Sequence, residues 1–149
     1  MSANLKEGET KKTPIGLTNH SYFNLAGHDH PNGILGHQLE IKAQSYTLTD
    51  SDSIPTKEIA NLSDVPSMDF RQSKKLEDAI RSLALAQGYS DEEAADTLKK
   101  KGKGGPTSES PLGFDHNYCL DGEGLRVVAI LEDADSGRKL TLSTTSPGV

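Results

Sequence analysis

Leu125-Arg126-Val127-Val128-Ala129-Ile130-Leu131 is the densest apolar run in the chain. Three of its residues are β-branched, and such a run predicts a strand buried on both faces. Asp133-Ala134-Asp135-Ser136-Gly137 follows, with glycine where a hairpin turn needs positive φ. Leu140, Leu142 and Thr144 then alternate with polar residues, as a return strand requires. This hairpin sets the reading of the rest: mainly β, paired antiparallel, because hairpin-length turns outnumber helical crossovers.

Working outward, Phe114 to Leu120 is aromatic-rich and extended in pattern. His37 to Gln44 alternates at Leu39, Ile41 and Ala43, and Ser45 to Thr49 continues through Tyr46 and Leu48. The phase slips by one between Ala43 and Tyr46, which predicts a bend or bulge. Thr13 to Thr18 (TPIGLT) has apolar residues on alternate positions and reads as a strand beginning near Pro14. Ala26 to Gly36 is turn-rich and reads as a loop. Ile54-Pro55-Thr56 and Val65-Pro66-Ser67 are proline-punctuated and suit edges or connections.

The centre of the chain changes character. Leu76, Ala79, Ile80 and Leu83 fall at helical spacing, which predicts a short amphipathic helix over 74–85. A second helix over 90–101 begins with a capping box, Ser90 with Glu93, and ends in Lys99, Lys100 and Lys101. Ala94, Ala95 and Leu98 are its only apolar residues, so it should ride on the surface. Residues 99–111 (KKKGKGGPTSESP) read as a linker, and 86–111 as a flexible insertion within one domain spanning 1–149.

Composition narrows the function. The 149 residues carry a net charge of −6, with 33% hydrophobic and 5% aromatic residues and no tryptophan. The core is therefore thin for the length, and an acidic chain offers no basic patch for nucleic acid. No apolar run approaches the ~18 residues of a membrane span. Met1 to Lys12 is polar without an apolar core, so no secretory signal is expected and the expected location is cytoplasmic. Cys119 is the single cysteine, which rules out an internal disulfide framework.

Two segments hold candidate chemistry. His20, in Thr18-Asn19-His20-Ser21-Tyr22-Phe23-Asn24, can give or accept a proton near neutrality. Asn19 and Asn24 are placed to orient it, and Tyr22 to stack on a sugar ring. Asp115, in Gly113-Phe114-Asp115-His116-Asn117-Tyr118, pairs a carboxylate with aromatic neighbours, a usual way to grip sugar hydroxyls. Read alone, His20 is more often a structural histidine, and Asp115 is equally well a turn residue. His28, His30 and His37 match no zinc spacing, and no metal site is expected.

These same segments resemble the aldose 1-epimerase (galactose mutarotase) family. Residues 13–27 (TPIGLTNHSYFNLAG) are similar to its histidine signature. Ile54-Pro55-Thr56-Lys57-Glu58-Ile59 resembles its "IPTGE" element, and Met68-Asp69-Phe70-Arg71 its "FDFR" element. Gly113 to Tyr118 matches "GFDHNY"; Ser136-Gly137-Arg138 and residues 144–149 (TTSPGV) match two later landmarks in order. The resemblance implies a partial antiparallel β-sandwich, a C-terminal-half piece of a family supersandwich about twice this length. It implies interconversion of α and β anomers of hexoses such as galactose and glucose, without a cofactor. A carboxylate base takes the anomeric proton while a histidine protonates the ring oxygen; the ring opens, the C1–C2 bond turns and the ring recloses. His20 resembles that acid, Tyr22 lies in the sugar-contacting stretch, and Asp115 resembles the aspartate holding ring hydroxyls. The family's glutamate base falls downstream of the landmark matched by residues 144–149. Against this stands a non-catalytic carbohydrate-binding β-module or an inactive truncated product.

Overall fold

The structure, a computed structural model, describes residues 4–50, 52–101 and 113–149. Two antiparallel sheets and two helices make up its regular part. The hairpin that opens the sequence argument is present as β6 (Arg126–Asp133) and β7 (Arg138–Thr144), paired from Asp133 with Arg138 to Arg126 with Thr144. Gly137 turns it at φ +69°.

One long extended stretch builds both sheets. β1 (Gln38–Ile41) pairs with β6, and β2 (Ala43–Thr49) pairs with β3 (Pro55–Asn61) and β5 (Tyr118–Leu120). Lys42 is the changeover. Its N–H donates to the Val128 carbonyl at 2.8 Å, and its own carbonyl accepts from Asp121 N–H at 2.9 Å. A strand that changes sheets at a bend lets one run of sequence nucleate two layers. The expected phase slip is the register shift between Ala43 and Ser45 against β5. Across it both Ala43 and Tyr46 stay buried. The orders are β4-β1-β6-β7, where β4 is Lys74–Lys75, and β3-β2-β5. Pro55 opens the edge strand β3, where its missing N–H costs no ladder bond.

Helix α1 (Leu76–Ala86) buries Leu76, Ala79, Ile80, Leu83 and Ala84, the periodic face read from the sequence. Helix α2 (Asp91–Lys101) is capped as expected: Glu93 accepts from the Ser90 N–H at 2.8 Å and Ser90 Oγ accepts from the Glu93 N–H at 3.3 Å. It does more than ride on the surface. Ala94 and Leu98 are buried against Ile80, Ala84 and Leu35, and Arg81 clamps Asp91 through Nε and Nη2 at 3.0 and 2.7 Å. The 86–111 stretch thus contains α2, and residues 102–112, most of the linker, lie outside the described residues.

Two expectations need correction. Residues 13–18 form no strand: 4–24 are exposed throughout, with Ile15 and Leu17 each 55% exposed. Alternation says which face a strand would bury, but residues 13–18 pair with no strand among the described residues. β6 is also not buried on both faces. Val128 and Ala129 are buried, Val127 is exposed, and Leu125, just before the strand, is 76% exposed. A register shift between Val127 and Ala129 breaks the alternation there, so Val128 and Ala129 are buried in succession while Val127 is left exposed.

The main core joins both sheets to α1 through Ile41, Tyr46, Leu62, Phe70, Leu83 and Tyr118. Phe70 is fully buried at its centre and meets Phe114 edge-to-face at 5.0 Å and 85°.

Candidate functional site

The Asp115 segment stands on a rigid base. Phe114, on one side of Asp115, packs against both core clusters. His116, on the other, sets its ring edge-on to Tyr46 at 5.5 Å and 81°. Asn117 is bound to β2 twice: its carbonyl accepts from Thr47 N–H at 2.9 Å and its Nδ2 donates to Thr47 Oγ1 at 3.0 Å. Tyr118 donates its buried hydroxyl to the Met68 carbonyl at 3.0 Å, and burial pushes its phenol well above the ordinary range. Asp115 is left exposed between these anchors. A carboxylate presented this way loses little freedom when it accepts hydrogen bonds from a ligand.

Sequence reading missed His116. Its Nδ1 is buried without a hydrogen-bond partner, and burial lowers its pKa despite the neighbouring Asp115, which pulls the other way. It is a neutral ring holding the loop rather than a proton donor at the surface.

The chain end closes against the same loop. Val149 and Tyr118 exchange backbone hydrogen bonds at 2.7 and 3.1 Å, and Leu120 N–H donates to the Pro147 carbonyl at 2.8 Å. Gly148 lies so close to Asn117 that a Cβ there would overlap the Asn117 Oδ1. The landmark at 144–149 is therefore a steric and backbone requirement of the Asp115 loop.

The Asp69-Phe70-Arg71 stretch divides its labour. Phe70 fills the core, while Arg71 binds Asp69 through Nε and Nη2 at 3.0 and 2.7 Å and reaches Gln44 Oε1 at 3.1 Å. Arg71 holds the Asp69 carboxyl below the usual carboxylate range. Gln44 in turn donates to Asp121 at 3.1 Å. Arg71, Gln44 and Asp121, with Lys42 and Arg126, line an open surface depression.

His20 and Tyr22 lie together but apart from this base. Their rings are 5.1 Å apart and tilted by 45°, on an extended, fully exposed stretch. The flanking asparagines turn the backbone: Asn19 Oδ1 accepts from Ser21 N–H at 2.9 Å, and Asn24 Oδ1 from Ala26 N–H at 3.1 Å. Neither bonds the His20 ring. Among the described residues, no hydrogen bond, ion pair or ring contact joins His20 or Tyr22 to Asp115, and no group of three His, Cys, Asp or Glu is placed to hold a metal. No helix among them is long and apolar enough to cross a membrane.

Comparison with known proteins extends the picture. The aldose 1-epimerase family model matches residues 2–149. Galactose mutarotase from Bos taurus is 34% identical over 147 residues, covering 98% of this chain and 35% of that protein; the Homo sapiens protein matches to the same extent. Aldose 1-epimerase from Escherichia coli (strain K12) is 31% identical over 141 residues, 93% of this chain and 34% of that protein. The crystal structure of a GalM/aldose epimerase homologue from C. elegans shares the fold at a TM-score of 0.50 and 20% identity, over 77% of this chain and 27% of that one. The chain thus spans about 35% of the length of these curated relatives, less than the half expected from the motifs.

Proposed function

The chain belongs to the aldose 1-epimerase family, and we propose that it carries part of a hexose mutarotation site, with His20 as the acid, Tyr22 as a sugar-facing ring and Asp115 as the substrate anchor. The carrying observation is that a single match of 34% identity over 147 residues, 98% of the chain, takes in both segments. The rigid presentation of Asp115 supports it.

In the proposed reaction Asp115 accepts hydrogen bonds from ring hydroxyls and fixes the hexose. Ring opening breaks the C1–O5 bond. The O5 atom takes its proton from His20, the anomeric O1–H proton goes to a base, and C1=O forms. Rotation about C1–C2 and the reverse transfers close the other anomer. A positioned acid contributes about 10²–10⁴ in rate, and the base a similar factor. No carboxylate among the matched residues is assigned as the base; with water taking the anomeric proton, the acceleration expected of this chain is the acid's share alone.

Polarimetry of freshly dissolved α-D-galactose tests the reading. The expected result is an acceleration that His20→Ala removes and that Asp115→Ala weakens mainly through KM. Sugar-induced NMR shifts at Tyr22 and Asp115 without acceleration would assign the chain to non-catalytic carbohydrate binding. A folded chain showing neither refutes the proposal.

A further inference from the structure

Two features stand outside the proposed chemistry: the Ser136-Gly137-Arg138 landmark, and His37, a histidine with no exposed surface. The structure brings both to one residue, Leu25, five positions beyond His20. Leu25 N–H donates to His37 Nε2 at 2.8 Å. The Leu25 carbonyl accepts from Arg138 Nη1 at 2.7 Å and from Ser136 Oγ at 3.0 Å. Both backbone groups of Leu25 are therefore held by side chains, one next to β1 and two at the β6–β7 turn.

The arrangement fixes the state of the imidazole. Nε2 accepts, so the proton sits on Nδ1. Nδ1 is buried without a hydrogen-bond partner and faces Asp133 Oδ1 at 3.9 Å. Asp133 is itself 3% exposed and is held by the Ser136 N–H, which donates to its Oδ2 at 2.9 Å. A buried carboxylate behind Nδ1–H favours the tautomer that leaves Nε2 free to accept from Leu25. Ser136 acts on both sides: its amide sets Asp133 and its hydroxyl grips Leu25.

We propose that His37, Ser136 and Arg138 form a latch on Leu25 that sets where the His20–Tyr22 stretch leaves the sheet, making them positioning residues for the acid. This rests on the functional reading above only in naming what is positioned. Residues 4–24 are exposed throughout, so Leu25 is where the stretch first gains a fixed bearing on the sheets. The latch also accounts for a buried histidine that matches no zinc spacing, and for a turn landmark lying 111 residues from the segment it serves.

The test uses the full 149-residue chain labelled with ¹⁵N at histidine and leucine. His37 is expected as a single Nδ1–H tautomer, and the Leu25 amide as protected from exchange. Arg138→Ala and Ser136→Ala should speed Leu25 exchange about tenfold or more, the scale of losing a hydrogen bond to a charged donor or a neutral one. Arg138→Lys should restore part of the protection. The Leu120 and Leu131 amides, one in each sheet, report that the sheets are intact. His37→Leu should release Leu25 as well; if that variant unfolds, the exposed Arg138 still decides the matter. Where mutarotation is measurable, Arg138→Ala should lower kcat with little change in KM. Unchanged Leu25 exchange in Arg138→Ala and Ser136→Ala, or a His37 Nε2–H tautomer, overturns the latch. These readouts need no sugar, so an intact latch in a chain without His20-dependent mutarotation would overturn the functional reading alone.

Discussion

Lys57→Gly should make this protein more stable. Lys57 sits at φ +74° in the edge strand β3, a left-handed conformation that side chains with a Cβ resist. The cause is local: between Thr47–Ile59 and Thr49–Pro55 the ladder loses step, so β3 carries two extra residues and bulges at 56–58. Thr56 Oγ1 ties the bulge to the Leu48 carbonyl at 3.3 Å, so the conformation persists despite its strain. A non-glycine residue there costs about 1–2 kcal/mol, and glycine's greater freedom in the unfolded chain returns about 0.5–1 kcal/mol of that. The net expectation is a gain of about 0.5–1 kcal/mol, read as an increase of roughly 0.5 M in the urea midpoint at an unchanged slope. Lys57→Ala is the control. It removes the same exposed side chain and keeps the Cβ, so it should leave the midpoint within error, with Lys57→Asn in between. Equal midpoints for the glycine and alanine variants would refute the argument, because the gain would then not come from the backbone. The family's "IPTGE" pattern has glycine at this position, so the substitution also restores the family residue.

Phe70→Ala should cost about 3–5 kcal/mol, since the ring is fully buried, and a Phe70→Leu/Phe114→Leu double-mutant cycle in urea should show about 1 kcal/mol of coupling for their edge-to-face contact. Gly148→Ala should destabilise the chain by more than ~1 kcal/mol because its Cβ meets the Asn117 side chain, and Asn117→Ala in the same chain should recover part of the loss; no recovery would place the cost elsewhere. Stability should fall on mild acidification. Burial holds His37 and His116 below their ordinary value of 6.5, so the unfolded chain takes up these protons first. Their contribution is complete above about pH 6.5 and declines as pH falls through the two folded-state values. Asp133, held low by hydrogen bonds from Ser136, adds its loss only below about pH 4. Urea midpoints that stay flat from pH 8 to pH 5 would contradict the histidine part.

Local signals were legible where the local chain decides the outcome. The β6–β7 hairpin, the slip between Ala43 and Tyr46, Pro55 at a sheet edge, the buried face of α1 and the Ser90–Glu93 box all follow from spacing and turn chemistry. Signals that depend on a partner were not. TPIGLT has a strand's alternation but pairs with no strand among the described residues, and several of the apolar side chains at 125–131 stay exposed or half-buried. His37 looks like any loop histidine until Leu25, Asp133 and the turn at Ser136 surround it through contacts that span the chain. Lys57 shows nothing unusual by itself; only the glycine in the family pattern marks a position that needs φ > 0.

The two parts of the candidate site differ in how they are held, and that difference bears on catalysis. Asp115 is fixed from both sides by Phe114, His116 and Asn117, and from behind by the 147–149 backbone. Among the described residues His20 is held by its ring contact with Tyr22, by two asparagine turns and, five residues on, by the proposed latch at Leu25. Proton transfer to a ring oxygen needs the donor within hydrogen-bond reach, and misplacement by about 1 Å costs on the order of 10²-fold. Ile15, Leu17 and Phe23, apolar and about half exposed, flank His20 and belong to neither core cluster among the described residues. Covering about three such side chains would contribute several kcal/mol, enough to seat the stretch firmly if a surface were offered. The relatives are nearly three times as long, and in them that surface has room to exist. The proposed anchor at Asp115 is thus held by the described fold itself, while the placement of the proposed acid at His20 depends on what the exposed face of residues 13–24 is set against.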